Sequence, residues 1–139
     1  MSCTENNYNL FLSLGDAYAG SEKPEKAFYY YNIVYQRANK SNNVLFKRVA
    51  LFKIARMQLW LNEGDAAVQS YERLLAMKLS DNDKNIALNG LTAASKQRQK
   101  KITQEKRQTI EENRQQARNF LRSLNGDSAY ALIKAHLIT

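Results

Sequence analysis

The chain has 139 residues, 44% of them hydrophobic, which is enough for one domain with a buried core and too little for two full domains. Its formal net charge is +8, and residues 96–122 carry nine Lys or Arg against three Glu. An acidic partner would therefore be recognised mainly by this segment. No apolar run approaches the roughly 18 residues that cross a bilayer, so no membrane span is predicted.

The chemistry of the side chains excludes several classes of site. Cys3 is the only cysteine and His136 the only histidine, so an internal disulfide is impossible and neither a zinc cluster nor a Ser–His–acid triad is predicted. No glycine-rich phosphate loop is present. We expect no cofactor, no metal and no enzymatic activity.

The backbone composition favours helices. One proline, five glycines and many Ala, Leu, Lys, Gln, Glu and Arg residues are typical of an all-α protein. The first two predicted helices cover residues 8–20 and Pro24–Ala38, and Pro24 suits the first turn of the second. Gly15 lets the two helices approach closely. Their apolar stripes recur at helical spacing: Phe11, Leu14 and Tyr18 on the first, Ala27, Tyr31 and Val34 on the second.

A second pair of helices is predicted at Phe46–Leu61 and Ala66–Met77. The polar segment Asn39–Asn43 is predicted as a loop between the pairs. In the turn between the two helices, Gly64 suits a left-handed helix end and Asp65 the cap of the next helix. The residues Ala27 and Tyr31 return as Ala67 and Tyr71, 40 residues later, which indicates an internal repeat.

These residues resemble the tetratricopeptide repeat, a family of 34-residue helix-turn-helix units. The first pair matches the family pattern at Phe11, Leu14, Gly15, Tyr18, Ala27 and Tyr31. The second departs from it, because Gln58 stands where an aromatic residue is usual. The 40-residue offset implies a longer joining loop or an extra helical turn. The resemblance covers about residues 8–94 and implies a short α-solenoid of tetratricopeptide-like hairpins.

In the resembled family, the first helix of each repeat lines a concave groove for a peptide or a partner helix. The resemblance assigns to that groove Asn9, Leu12, Asp16 and Ala19 from the first repeat, Val49, Phe52, Arg56 and Leu59 from the second, and Asn85, Leu88 and Thr92 from a third. Leu12 and Asp16 replace the Lys and Asn of the family's carboxylate clamp, which argues against a chaperone-tail binder. Such a groove suits an apolar segment with an acidic group.

Ordinary packing between repeats is the alternative for Phe52 and Leu88. We expect Phe52→Ala to leave the fold intact and weaken partner binding; if it unfolds the protein, Phe52 belongs to the core.

A fifth helix is predicted from the caps Asp81–Asp83, and then a long basic helix of about 28 residues from Lys96 to Leu124. The predicted organisation is a repeat domain at 1–95, this basic helix at 96–125 and a terminal helix at 126–139. The basic helix is a solvated spacer or an extended second helix of a third repeat, a contact for a protein partner such as a second copy of the chain, or a nucleic-acid contact. The basic residues available to such contacts are Lys100, Lys101, Lys106, Arg107 and Arg114.

The terminal helix, Ala129–Ile138, ends within an apolar pattern, which is compatible with a fragment of a longer protein but does not decide it. The expected function is that of a protein–protein interaction scaffold or chaperone-like adaptor, within an assembly or secretion system. A nucleic-acid-associated protein and a piece of an exported envelope protein are the alternatives. A cytoplasmic location is favoured over an exported one.

Overall fold

The computed structural model describes the backbone of residues 2–124 and 134–136, and the side chains of 7–124 and 134–136. The predicted all-α class is confirmed, since the described residues contain helices and no strand. The helices are α1 (Ser2–Gly20), α2 (Pro24–Lys40), α3 (Val44–Trp60), α4 (Gly64–Leu75) and α5 (Asp81–Ser123). Residues 134–136 are also helical. The predicted terminal helix lies mostly outside the described residues.

Helix α5 is one continuous helix of 43 residues. It includes both the predicted fifth helix and the predicted basic helix, because no breaker separates residues 94 and 96. Its start is capped by Ser80, whose Oγ accepts a hydrogen bond from the backbone N–H of Asp83 at 3.2 Å. The chain forms two compact units, Met1–Gln99 and Lys100–Thr139, and α5 contributes residues to both.

The turns after α1, α2 and α3 share one backbone conformation. Each contains a non-glycine residue with a left-handed φ, at intervals of 20 residues: Glu22 at 60°, Asn42 at 55° and Asn62 at 59°. The N–H of the next residue donates to a carbonyl five residues earlier, at 2.9 Å, 2.8 Å and 2.8 Å. This bond satisfies a carbonyl that the helix end leaves unpaired.

These turns correct two predictions. The loop predicted at Asn39–Asn43 is shorter, since α2 runs to Lys40, α3 begins at Val44 and only residues 41–43 lie between them. The 40-residue offset therefore comes from longer helices. The left-handed residue of the third turn is Asn62, whereas Gly64 begins α4 and Asp65 lies in its first turn. A Cβ at Gly64 would meet the backbone of α5 at Ala94 and Arg98, so the glycine serves close packing there.

The core consists of two clusters of buried side chains. The first joins α1, α2 and α3, and contains Tyr8, Leu12, Ala27, Tyr31, Val34, Ala38, Ala50, Ile54 and Met57. The second joins α3, α4 and α5, and contains Leu51, Ala55, Ala67, Val68, Tyr71, Leu74, Ala87 and Ala94. Because α3 contributes to both clusters, its opposite sides are buried and only a narrow face is left for solvent.

Two tyrosines of the repeat pack against glycines. A Cβ added at Gly15 would overlap the ring of Tyr31, and one at Gly90 would overlap the ring of Tyr71. The close approach predicted at Gly15 is thus confirmed. Burial raises the pKa of Tyr71 above its ordinary value, so its hydroxyl stays protonated at neutral pH.

Gln58, the departure from the family pattern, is also buried. Its Oε1 accepts a hydrogen bond of 2.6 Å from the hydroxyl of Ser70 on α4. A polar pair between α3 and α4 therefore replaces the aromatic contact that the resemblance implies.

Replacing Gly15 with alanine should lower the free energy of unfolding by about 1–3 kcal/mol, because the new methyl group overlaps the buried ring of Tyr31. The measurement is urea denaturation followed by circular dichroism. Gly20→Ala is the matched control, since a Cβ there meets nothing within 4 Å. The control should be neutral or stabilise by up to about 1 kcal/mol. Equal effects of the two substitutions would contradict the packing described for Gly15.

Candidate partner-binding groove

The exposed face of α3 carries a mixed basic and aromatic stripe. Val49, Phe52, Lys53, Arg56 and Trp60 follow one another at spacings of one, three and four residues, which places them on one side of the helix. The helix begins just before them, where Asn43 Oδ1 accepts a hydrogen bond from the N–H of Phe46 at 3.2 Å. Trp60, at the end of the stripe, is 49% exposed.

Two adjoining pockets flank this stripe. The Trp60 pocket, of about 320 Å³, lies between α1, α2 and α3 and is lined by Asp16, Ala19, Gly20, Tyr31, Lys53, Arg56, Met57 and Trp60. The Phe52 pocket, of about 340 Å³, lies between α3 and α5 and is lined by Arg48, Val49, Phe52, Lys53, Arg56, Asp83 and Ile86. Lys53 and Arg56 line both pockets, and we call the joint surface the α3 groove.

Asp16 is held in place at the Trp60 pocket by two donors. The hydroxyl of Tyr31 donates to its Oδ1 at 2.5 Å, and the ammonium of Lys53 lies 2.9 Å from the same oxygen. Partial burial raises the pKa of Asp16, but the hydrogen bonds from Tyr31 and Lys53 and the charges of Lys53 and Arg56 lower it by more. The carboxyl pKa is therefore below its ordinary value. Burial and the bond to Asp16 raise the pKa of Tyr31.

The charges of the α3 groove are only partly paired. Lys53 pairs with Asp16, whereas neither Arg48 nor Arg56 takes part in an ion pair among the described side chains. Asp83, the other acid of the groove, lies at the N-terminal turn of α5, where a carboxylate is favoured by the helix dipole. The groove thus offers two guanidinium groups beside apolar surface.

The structure brings together five of the residues predicted for a groove: Asp16, Ala19, Val49, Phe52 and Arg56. The prediction for Leu12 is wrong, because its side chain is 8% exposed and lies in the first core cluster. Asn9 and Leu88 are exposed but line neither pocket, and the same holds for Asn85 and Thr92. Leu59 packs against the second core cluster.

Phe52 has two roles in the structure. It packs against the second core cluster and also lines the Phe52 pocket. Phe52→Ala would therefore change both the stability of the fold and the surface of the groove. Trp60 is the better position at which to test the groove.

Sequence reasoning missed Lys53, Trp60, Tyr31 and Ile86. The sequence contained a signal for Lys53 and Trp60. Lys53 lies three residues before Arg56 and Trp60 four residues after it, a spacing that places all three on one face of a helix. Tyr31 had none, because it was predicted as core, and its ring is indeed buried while its hydroxyl reaches Asp16.

The basic residues predicted on the long helix do not share one face. All five are exposed. Lys100, Arg107 and Arg114 are seven residues apart and lie on one side of α5, whereas Lys101 lies elsewhere. Lys106 lines a shallow apolar depression with Ile102 and Ile110.

The described residues contain no group of His, Cys, Asp and Glu side chains that could hold a metal ion. None of the helices described is both long and apolar enough to span a membrane. Comparison of the chain with protein-family models, curated proteins and solved structures gave no match.

Asp16 should stabilise the fold through Lys53 in a pH-dependent way. Because its pKa is lowered in the folded state, this contribution is present above the ordinary carboxyl pKa and is lost as pH falls through the folded-state value. A double-mutant cycle of Asp16→Asn and Lys53→Met, measured by urea denaturation, should give a coupling of about 0.2–1 kcal/mol at pH 7, since the pair is partly exposed.

The coupling should shrink below about pH 4 and in high salt. Zero coupling at pH 7, or a coupling that persists at about pH 2, would contradict the ion pair.

Proposed function

We propose that the protein is a tetratricopeptide-like interaction module whose α3 groove binds an acidic, partly apolar peptide segment of another protein. The shape of the α3 groove supports this proposal. Two adjoining pockets along one helix suit an extended strand or one side of a helix, which presents successive side chains at regular intervals.

The basic residues of the groove support an acidic ligand segment. Arg48 and Arg56 form no ion pair among the described side chains, although Asp83 lines the same pocket, and a ligand carboxylate beside them would add charge-assisted hydrogen bonds. Lys53 is already engaged by Asp16, so it holds the groove's shape more than it attracts ligand. The unpaired arginines are the observation that carries the proposal.

Apolar contacts supply the rest of the affinity. Trp60 is an exposed aromatic residue beside Arg56, and the Phe52 pocket adds Val49 and Ile86. Tryptophan and arginine are the residues that most often dominate binding energy at protein interfaces. The expected ligand therefore alternates apolar side chains with Asp or Glu.

The test uses a labelled peptide in which Leu and Phe alternate with Glu, and a matched peptide with Lys in place of Glu. Fluorescence anisotropy should show that the acidic peptide binds at least about tenfold more tightly, and that salt weakens it. Trp60→Ala and the double variant Arg48→Gln/Arg56→Gln should each abolish this preference or the binding itself.

The matched control is Arg73→Gln/Lys78→Gln, which removes the same net charge from two exposed residues outside both pockets. It should bind like the wild type. If the control loses as much affinity as the groove variant, the peptide is attracted by net charge and the groove is not its site.

A further inference from the structure

The second half of α5 exposes an apolar face. None of the residues from 100 to 123 is buried, although Ile110 is 52% and Phe120 64% exposed. The face runs along one side of the helix at spacings of three and four residues. It consists of Ile102, Lys106, Ile110, Asn113, Ala117 and Phe120, and we call it the α5 seam. Burial of the seam against another helix would add to the stability that the helix-forming residues of α5 already provide.

Opposite charges border the two sides of the α5 seam. Lys100, Arg107 and Arg114 follow one side at intervals of seven residues, which is close to two helical turns. Glu105 and Glu112, also seven apart, follow the other side, where Lys101 lies one turn before Glu105 and the net charge of the three is negative.

The remaining acid, Glu111, lies beyond the basic side. It is engaged by Arg118 at 2.9 Å and more loosely by Arg114 at 3.9 Å. The basic side therefore keeps an excess of positive charge.

We propose that the α5 seam pairs with the α5 seam of a second copy of this chain, with the two helices parallel. In a parallel pair, the basic side of each helix lies beside the acidic side of the other, so both borders are attractive. In an antiparallel pair, the basic sides of the two helices face each other, and so do the acidic sides, so both borders are repulsive. The charge arrangement thus selects both the partner and its direction.

The polar residues of the seam fit a two-helix pair. In a parallel pair in register, Asn113 lies beside Asn113 of the second copy, where the two amides hydrogen-bond to each other. Lys106 can extend its ammonium to solvent at the edge of a pair, whereas it would be enclosed in a larger bundle. Polar residues at such positions limit the number of strands at a cost in stability. The expected assembly is a dimer of modest affinity.

The first experiment is sedimentation equilibrium of the full chain over a concentration series. The wild type should dimerise, and Ile110→Asp should be monomeric with unchanged helix content by circular dichroism. Gln108→Asp places the same charge on the opposite side of α5 and should dimerise like the wild type. A monomeric wild type, or a dimer that Ile110→Asp leaves intact, would overturn the proposal.

Direction is tested by cysteine cross-linking in a Cys3→Ser background. Ala117→Cys should form a covalent dimer under mild oxidation, because identical seam positions are neighbours in a parallel pair in register. Gln108→Cys, on the far side, should not. Efficient cross-linking between Ala117→Cys and Lys106→Cys chains, without Ala117→Cys homodimers, would indicate an antiparallel pair and overturn the proposal.

Charge exchange tests the selectivity. The triple variant Lys100→Glu/Arg107→Glu/Arg114→Glu has two acidic borders, and Glu105→Lys/Glu112→Lys has two basic borders. Each alone should lose the dimer, and their mixture should restore it. If the wild type is monomeric and instead binds an RNA or DNA oligomer in a salt-dependent way, the basic side serves nucleic acid and the pairing proposal fails.

Discussion

Two tyrosine rings packed on glycines set how closely the helices approach. Tyr31 fills the space beside Gly15 and joins α2 to α1, and Tyr71 fills the space beside Gly90 and joins α4 to α5. Because cores are close-packed, a ring that lies where a Cβ would be fixes the distance between the two helices. The hydroxyl of Tyr31 then reaches Asp16 at the groove. The contact that fixes the spacing of α1 and α2 thus also positions a carboxylate of the site.

The electrostatics of the groove follow from this arrangement. Oδ1 of Asp16 is engaged by Tyr31 and Lys53, and neither Arg48 nor Arg56 forms an ion pair among the described side chains. In the proposed function, a ligand carboxylate would form charge-assisted hydrogen bonds with these guanidinium groups. The preference for acidic ligands that we propose therefore rests on the two arginines outside the pair of Asp16 and Lys53.

Much of the fold could be predicted from local signals. The stripes around Tyr31 and Tyr71, the glycine at position 15 and the 40-residue offset identify the helices and their pairing. The exact positions of the turns could not be predicted, because Glu22, Asn42 and Asn62 adopt a left-handed conformation usually associated with glycine. The prediction of a fifth helix separate from the basic helix was wrong, because the composition changes along α5 while its helical backbone continues.

The site was less predictable than the fold. Five groove residues could be placed because helix registers are regular, and Leu12 failed because the resemblance does not say how deeply α1 packs against α3. Ile86 and Asp83 are far from Arg56 in sequence and reach the groove only through tertiary packing. The exposure of Ile110 and Phe120 likewise required the structure, since an apolar residue on a helix is more often buried.

The even spacing of the three left-handed turns constrains how this architecture can grow. The chain turns at intervals of 20 residues after α1, α2 and α3, and alternate helices, α1, α3 and α5, line the pockets together with Tyr31 of α2. Duplication of a single 20-residue segment would place an α2-like surface where the groove continues. Duplication of 40 residues would add a hairpin in the correct phase and lengthen the groove. Any lengthening of the site by gene duplication should therefore proceed in steps of two helices.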